Sequence, residues 1–426
     1  MKSSKDLKSN IMSIGGNLVT HPFFAGSAIM IVGTNFANAL AYLYHLIMGR
    51  LLGPANYGEL AVMISLLGIV MTSFSFINVV VVKYVSAGTN KSNQALFTWL
   101  TRKSVIFGII LASVFALAAH SISQFLKIDQ KIVLILTPFF IFSILSTVYK
   151  AFLQGSLKFK ELTITSNLDL LGRLSFGVIF VYFGMSVFGG ILGIVLGAFT
   201  AFVLARFFLR DYRTTDSKVK FTKIKDIAAY SIPVFISSAA TLSLLSTDVI
   251  LVKHFFDPHV AGLYAALSTL VRIIYFGATP VSAVMFPMVS KKHSKGESYL
   301  KIFAFSLVLT LFISLAVLGI YWQFPEFSIK MLYGSGYVEA SPLLLHFGLF
   351  VAICTLSIFM LQFFISRFKT SAAYLVLIGA IVQIVGIWLF HRSLNQVINV
   401  SITVSSLLLV SLFVYFAYER KTSTEI

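Results

Sequence analysis

The sequence predicts an all-α polytopic membrane protein of twelve transmembrane helices arranged as two pseudo-symmetric lobes of six. Three observations carry that prediction. The chain is 58% hydrophobic and only 11% charged over its 426 residues, whereas a soluble domain carries about 25% charged side chains. Apolar runs recur along its length, each long enough at about 1.5 Å per residue to cross a hydrocarbon core of about 30 Å. The basic residues, finally, fall overwhelmingly on one side of the runs so defined.

Helices are expected because a backbone in lipid must satisfy its own polar groups, and no run alternates as a barrel strand does. Lys2, Lys5 and Lys8 precede the first apolar run, which exceeds a signal-peptide core and lacks a small-residue cleavage site, so it reads as a retained first span. The spans are placed near 23–49, 58–82, 104–126, 131–150, 164–186, 188–209, 227–252, 260–289, 302–323, 340–366, 371–391 and 396–418.

With the N-terminus on the first side, 25 of the 33 lysines and arginines fall on that side. The other side receives Arg50, Lys127, Lys131, Lys253, Lys330 and Arg392, and Arg173 and Arg272 lie inside spans. Such asymmetry places both termini in the cytoplasm of an inner or plasma membrane protein. It also accounts for the net charge of +18 without nucleic acid, which would be bound by a basic stripe on a soluble module.

The longest polar connection, 211–226, carries Arg213, Lys218, Lys220, Lys223 and Lys225 and is expected to link lobes 1–210 and 227–426. An internal repeat supports the division. GPANYGELAVM at 53–63 and DPHVAGLYAAL at 257–267 align at an offset of 204, matching Pro54 with Pro258, Gly58 with Gly262 and Ala61 with Ala265. LKFK at 157–160 likewise resembles SRFK at 366–369. Parallel repeats related by an axis along the membrane normal are a common transporter plan.

Charges inside a bilayer mark function by default. Arg173 in the fifth span and Arg272 in the eighth each lie about 15 Å from a helix end, in opposite lobes. Two guanidiniums facing one cavity suit a pyrophosphate, because Arg stays charged and offers paired donors to phosphate oxygens. The competing reading is an i,i+4 pair of Arg173 with Asp169. Asp248 is expected either to pair with Arg272 or to bind a coupling cation, and His45 and His346 either relay protons or hydrogen-bond a neighbouring helix. Arg50, Lys253 and His254 read as snorkelling at helix ends. Pro280 and Pro287 in the eighth span, Pro138 in the fourth and Pro233 at the start of the seventh are candidate bending points for gating. Cys354 reads as packing. No zinc-spaced cluster, nucleotide loop or long external segment is present, which argues against an enzyme and against a resident metal or cofactor.

The run MGRLLGPANYGELAVMISLLGIVMTSFSF at 48–76 resembles the Arg-x-Leu-Gly-Pro-x-x-Tyr-Gly opening of polysaccharide-repeat-unit flippases in the multidrug/oligosaccharidyl-lipid/polysaccharide (MOP) exporter superfamily. The likeness continues through SIPVFISSAATLSLLSTDVILVKHFFDPHVAGLYAAL at 231–267, MFPMVS at 285–290 and LYGSGYVEASPLLL at 332–345. That resemblance implies a MATE-like, V-shaped pair of lobes around a hydrophilic cavity. It implies export, by alternating access, of an undecaprenyl-pyrophosphate-linked oligosaccharide for cell-surface polysaccharide synthesis. By the same analogy Arg50, Asp248 and Tyr264 occupy motif positions. The expected partners are the lipid-linked glycan, membrane lipids and an associated glycan polymerase or glycosyltransferase, the transporter is expected to be a monomer, and coupling to H+ or Na+ is left open. The family scatters charge over more cavity helices than this chain does, which leaves the head group open. The alternatives are an ion-coupled multidrug extruder, which would want more intramembrane carboxylates, and a membrane glycan polymerase or ligase, which would want a large external loop.

Overall fold

The computed structural model describes residues 22–424 apart from 73, 213–223, 368 and 370. The basic connection 211–226 therefore lies largely outside the described residues, as do Lys2, Lys5 and Lys8. Among the described residues the regular structure is helical. The α-helices are α1 Pro22–Thr72, α2 Ser75–Ala87, α3 Asn90–Leu117, α4 Ala119–Leu126, α5 Gln130–Leu134, α6 Thr137–Gly155, α7 Phe159–Phe180 and α8 Ser186–Phe208. They continue as α9 Ile224–Phe255, α10 Pro258–Ser294, α11 Leu300–Gln323, α12 Pro325–Tyr333, α13 Ser341–Ser366, α14 Ala372–Leu389 and α15 Leu394–Thr424.

Ten described segments are long and apolar enough to cross a membrane, so this is a multi-pass membrane protein. Ten differs from the expected twelve because two pairs are continuous. The segment 32–72 is one helix interrupted at Gly53, whose φ of 70° lies in the left-handed region. Likewise 159–208 runs through a π-helical stretch, Val181–Met185, in which Gly184 has a φ of 86°. Glycine tolerates those angles without a Cβ clash, which is why the breaks fall there. After the second break α8 packs back along α7 through small residues. A Cβ on Gly193 would lie 2.5 Å from the Gly177 nitrogen, and one on Gly197 2.6 Å from the Asp169 carbonyl oxygen, the close approach that small residues permit between membrane helices.

Helix ends also depart from the hydropathy limits. The third span, expected from 104, starts at Asn90, where the Thr89 hydroxyl caps the helix by accepting from the Ser92 amide at 3.4 Å. Hydropathy sees only the lipid-facing part of a helix that continues into polar sequence. Asp257 caps α10 in the same way, accepting from Val260 N at 3.2 Å, with Pro258 following it.

The lateral surface is apolar and the interior partly polar. On α11, Phe305, Val308, Phe312 and Leu315 are exposed, whereas Ser306, Thr310 and Ser314 are buried. Spacings of three and four put each set on one face, the distribution expected where lipid is the solvent and small hydroxyl residues face neighbouring helices.

Two compact units are present. The first comprises 1–45, 77–119 and 131–222; the second 46–76, 120–130 and 223–426. In the first, Phe97 stacks on Tyr149 with centroids 5.3 Å apart and meets Phe152 edge-on at 5.2 Å. In the second, the repeat-equivalent glycines meet backbone to backbone: a Cβ on Gly58 would lie 2.8 Å from the Gly262 Cα.

Candidate functional site

In the first unit α7 carries Asp169 and Arg173 one turn apart, and α6 brings Lys150 to the same carboxylate. Arg173 donates from Nε to Asp169 Oδ1 at 2.7 Å and from Nη2 to Oδ2 at 3.2 Å. Lys150 Nζ lies 3.2 Å from Oδ2. The i,i+4 pair that competed for Arg173 is thus present, and it is joined by a second cation, Lys150. Two cations on one carboxylate leave a formal charge of +1. Asp169 is buried, while 22% of the Lys150 side chain and 27% of the Arg173 side chain remain exposed. The Arg173 guanidinium also stands over the Phe139 ring, 5.9 Å from its centroid.

In the second unit α9 and α10 run antiparallel and share a buried polar cluster. The Tyr264 hydroxyl donates to Asp248 Oδ2 at 2.8 Å, and both residues are fully buried. The other carboxylate oxygen, Oδ1, receives no side-chain hydrogen bond among the described residues. The direct ion pair expected between Asp248 and Arg272 is not formed. Arg272 donates from Nη2 to the Leu245 carbonyl and approaches the hydroxyls of Ser246 at 3.3 Å and Ser268 at 3.4 Å, leaving Nε without an acceptor. Helix register explains this: Tyr264, two turns before Arg272 on α10, takes the place opposite Asp248. The guanidinium meets α9 one turn earlier, at 245–246.

Other predicted residues serve the packing of the second unit. Exposed Arg50 donates from Nε to the Leu332 carbonyl at 3.0 Å and from Nη2 to that of Met331, occupying the C-terminal carbonyls of α12. Tyr57, read only as part of the motif, is fully buried, with its hydroxyl 3.1 Å from Thr269 Oγ1 and 3.2 Å from the Tyr333 hydroxyl. Tyr337 donates to the Gly49 carbonyl at 2.7 Å. Lys253 is buried with Nζ 3.6 Å from Glu59 Oε1, and His254 stacks on Phe125 at 3.9 Å, so neither snorkels. The motif at 50–59 therefore fastens α1 to helices of the second half. Pro280 and Pro287 lie inside α10, Pro138 stands in the first turn of α6, where a missing N–H costs little, and Cys354 is buried.

This helical plan and its polar clusters meet independent findings from sequence comparison. Residues 47–342 match the family model described as polysaccharide biosynthesis protein. The chain belongs to that family. An uncharacterized membrane protein of Methanocaldococcus jannaschii is 23% identical over 322 residues, covering 70% of this chain and 74% of that one. Among solved structures, an inward-facing multidrug resistance MATE family transporter of the MOP superfamily aligns with a TM-score of 0.76 at 14% identity, covering 93% of this chain and 98% of that one. The lipid II flippase MurJ, in an inward closed conformation, aligns with a TM-score of 0.74 at 14% identity, covering 92% and 87%. A MOP superfamily transporter from Pyrococcus furiosus gives 0.61 at 14%, covering 95% and 97%. The polysaccharide biosynthesis family member described here thus shares the fold of these MOP superfamily proteins.

Proposed function

We propose that this family member flips an undecaprenyl-pyrophosphate-linked oligosaccharide from the cytoplasmic to the outer leaflet by alternating access. In this reading residues 32–72 and 159–208 each cross the membrane twice, giving twelve spans with both termini cytoplasmic, and 211–226 links lobes 1–210 and 227–426. The observation that carries the proposal is the cluster of Lys150, Asp169 and Arg173, which holds a residual positive charge on membrane-spanning helices. An unneutralised cation is costly there unless an anion comes to it, and a pyrophosphate offers several oxygens to the Lys ammonium and the Arg fork. Arg272, with an unpartnered Nε, is the phosphate contact assigned to the second unit.

The test is transport in proteoliposomes of a lipid-pyrophosphate-linked oligosaccharide. The Lys150→Gln/Arg173→Gln protein is expected to insert normally and to lose transport at least tenfold; wild-type rates would overturn the assignment. Ion-coupled multidrug export is the second reading, favoured by Oδ1 of buried Asp248, which receives no side-chain hydrogen bond among the described residues and suits H+ or Na+. Efflux of a lipophilic cation by the same proteoliposomes, with no movement of the lipid-linked sugar, would establish it instead.

A further inference from the structure

Within the second unit, α10 and α13 border a cavity of about 380 Å³ that none of the charged clusters occupies. Its volume lies within the range of small-molecule sites, about 300–1,000 Å³. We infer that this cavity binds a neutral sugar ring of the cargo, an inference that rests on the flippase reading and gives it a glycan subsite.

The lining determines the chemistry. Thr279, Ser282, Thr355 and Gln362 contribute polar groups, Tyr275 and Phe286 contribute rings, and no lining residue is charged. Thr279 gives its proton to the Tyr275 carbonyl at 2.9 Å and Thr355 gives its proton to that of Val351 at 2.7 Å. Their oxygens therefore face a ligand as acceptors. Ser282 and Gln362 form no hydrogen bond with described residues and offer both donors and acceptors.

Two prolines add backbone capacity. Pro280 and Pro287 have no N–H, so the carbonyls of Phe276 and Ala283 lose their i+4 donors, and Ala283 borders the cavity. A wall of acceptors, two free polar side chains and aromatic faces matches the hydroxyls and C–H face of a pyranose. A lipophilic cation would lack a carboxylate here, and a polyprenyl tail would strand the polar groups.

Position agrees with this chemistry. Tyr275 follows Arg272 by three residues on α10, and Thr279 lies about 10 Å further along the axis than Arg272. A phosphate at Arg272 would thus place the first sugars of its glycan beside the cavity.

The experiment is saturation-transfer NMR on the purified full-length protein in detergent, with methyl glucoside, methyl galactoside and methyl N-acetylglucosaminide as probes and tetraphenylphosphonium as the charged control. Ring-proton signal from at least one glycoside is expected with wild type, falling at least fivefold in Gln362→Leu and in the milder Ser282→Ala, each verified as folded by size-exclusion profile. No glycoside signal, or equal signal in both variants, overturns the subsite. Flipping of the lipid-linked oligosaccharide is measured on the same preparations. Flipping without glycoside binding removes the subsite and leaves the functional reading intact; glycoside binding without flipping does the reverse.

Discussion

Replacing Tyr264 by Phe isolates a single hydrogen bond. The hydroxyl donates to Asp248 Oδ2 at 2.8 Å, and neither side chain is exposed. The ring itself packs on Phe347 with centroids 4.7 Å apart, and Phe preserves that packing. What is lost is the side-chain hydrogen bond of a buried carboxyl oxygen, about 1–3 kcal/mol. No other side chain among the described residues donates to the carboxylate, so the variant removes its one side-chain donor there. Asp248→Leu alone strands the Tyr264 hydroxyl at about 1–3 kcal/mol, whereas the double variant removes both polar partners together. A double-mutant cycle is therefore expected to show coupling of about 1–3 kcal/mol. The assay is denaturant unfolding in mixed micelles followed by tryptophan fluorescence. Additive single costs, or a Tyr264→Phe effect below about 0.5 kcal/mol, would refute this account of the cluster.

Gly262→Ala should destabilise by about 1–3 kcal/mol, as overpacking does, because its Cβ would run into the Pro54 backbone carbonyl. Gly319→Ala, with nothing within 4 Å, should be neutral or stabilising by up to about 1 kcal/mol; the same unfolding assay compares them, and equal effects would contradict the close approach. Glu59→Gln leaves the Lys253 ammonium buried without its counter-charge and should cost about 3–5 kcal/mol. Glu59→Leu/Lys253→Met should recover most of that loss, and a double variant as unstable as the single would argue that the pair is not coupled.

Much of the helical plan was legible in the sequence because it follows from one-dimensional quantities. Run length and apolar content located the segments, and Gly53 and Gly184 mark where two of the longest are broken. The Asp169 and Arg173 pair was equally legible, since i,i+4 spacing on one helix fixes its geometry. Polar helix extensions such as 90–103 were not, because hydropathy is blind to helix that leaves the lipid.

The sequence alone thus determined a multi-pass helical membrane protein, its internal repeat and the few charges that enter its spans. Only the tertiary structure decided how those charges are used. It brought Lys150 to Asp169 from another helix, set Tyr264 rather than Arg272 opposite Asp248, and buried Lys253 against Glu59. The reason is physical: periodicity fixes which residues share a face of one helix. The rotation and axial register of two helices against each other are set by side-chain packing, such as the glycine contact of 58 with 262, which no single segment encodes.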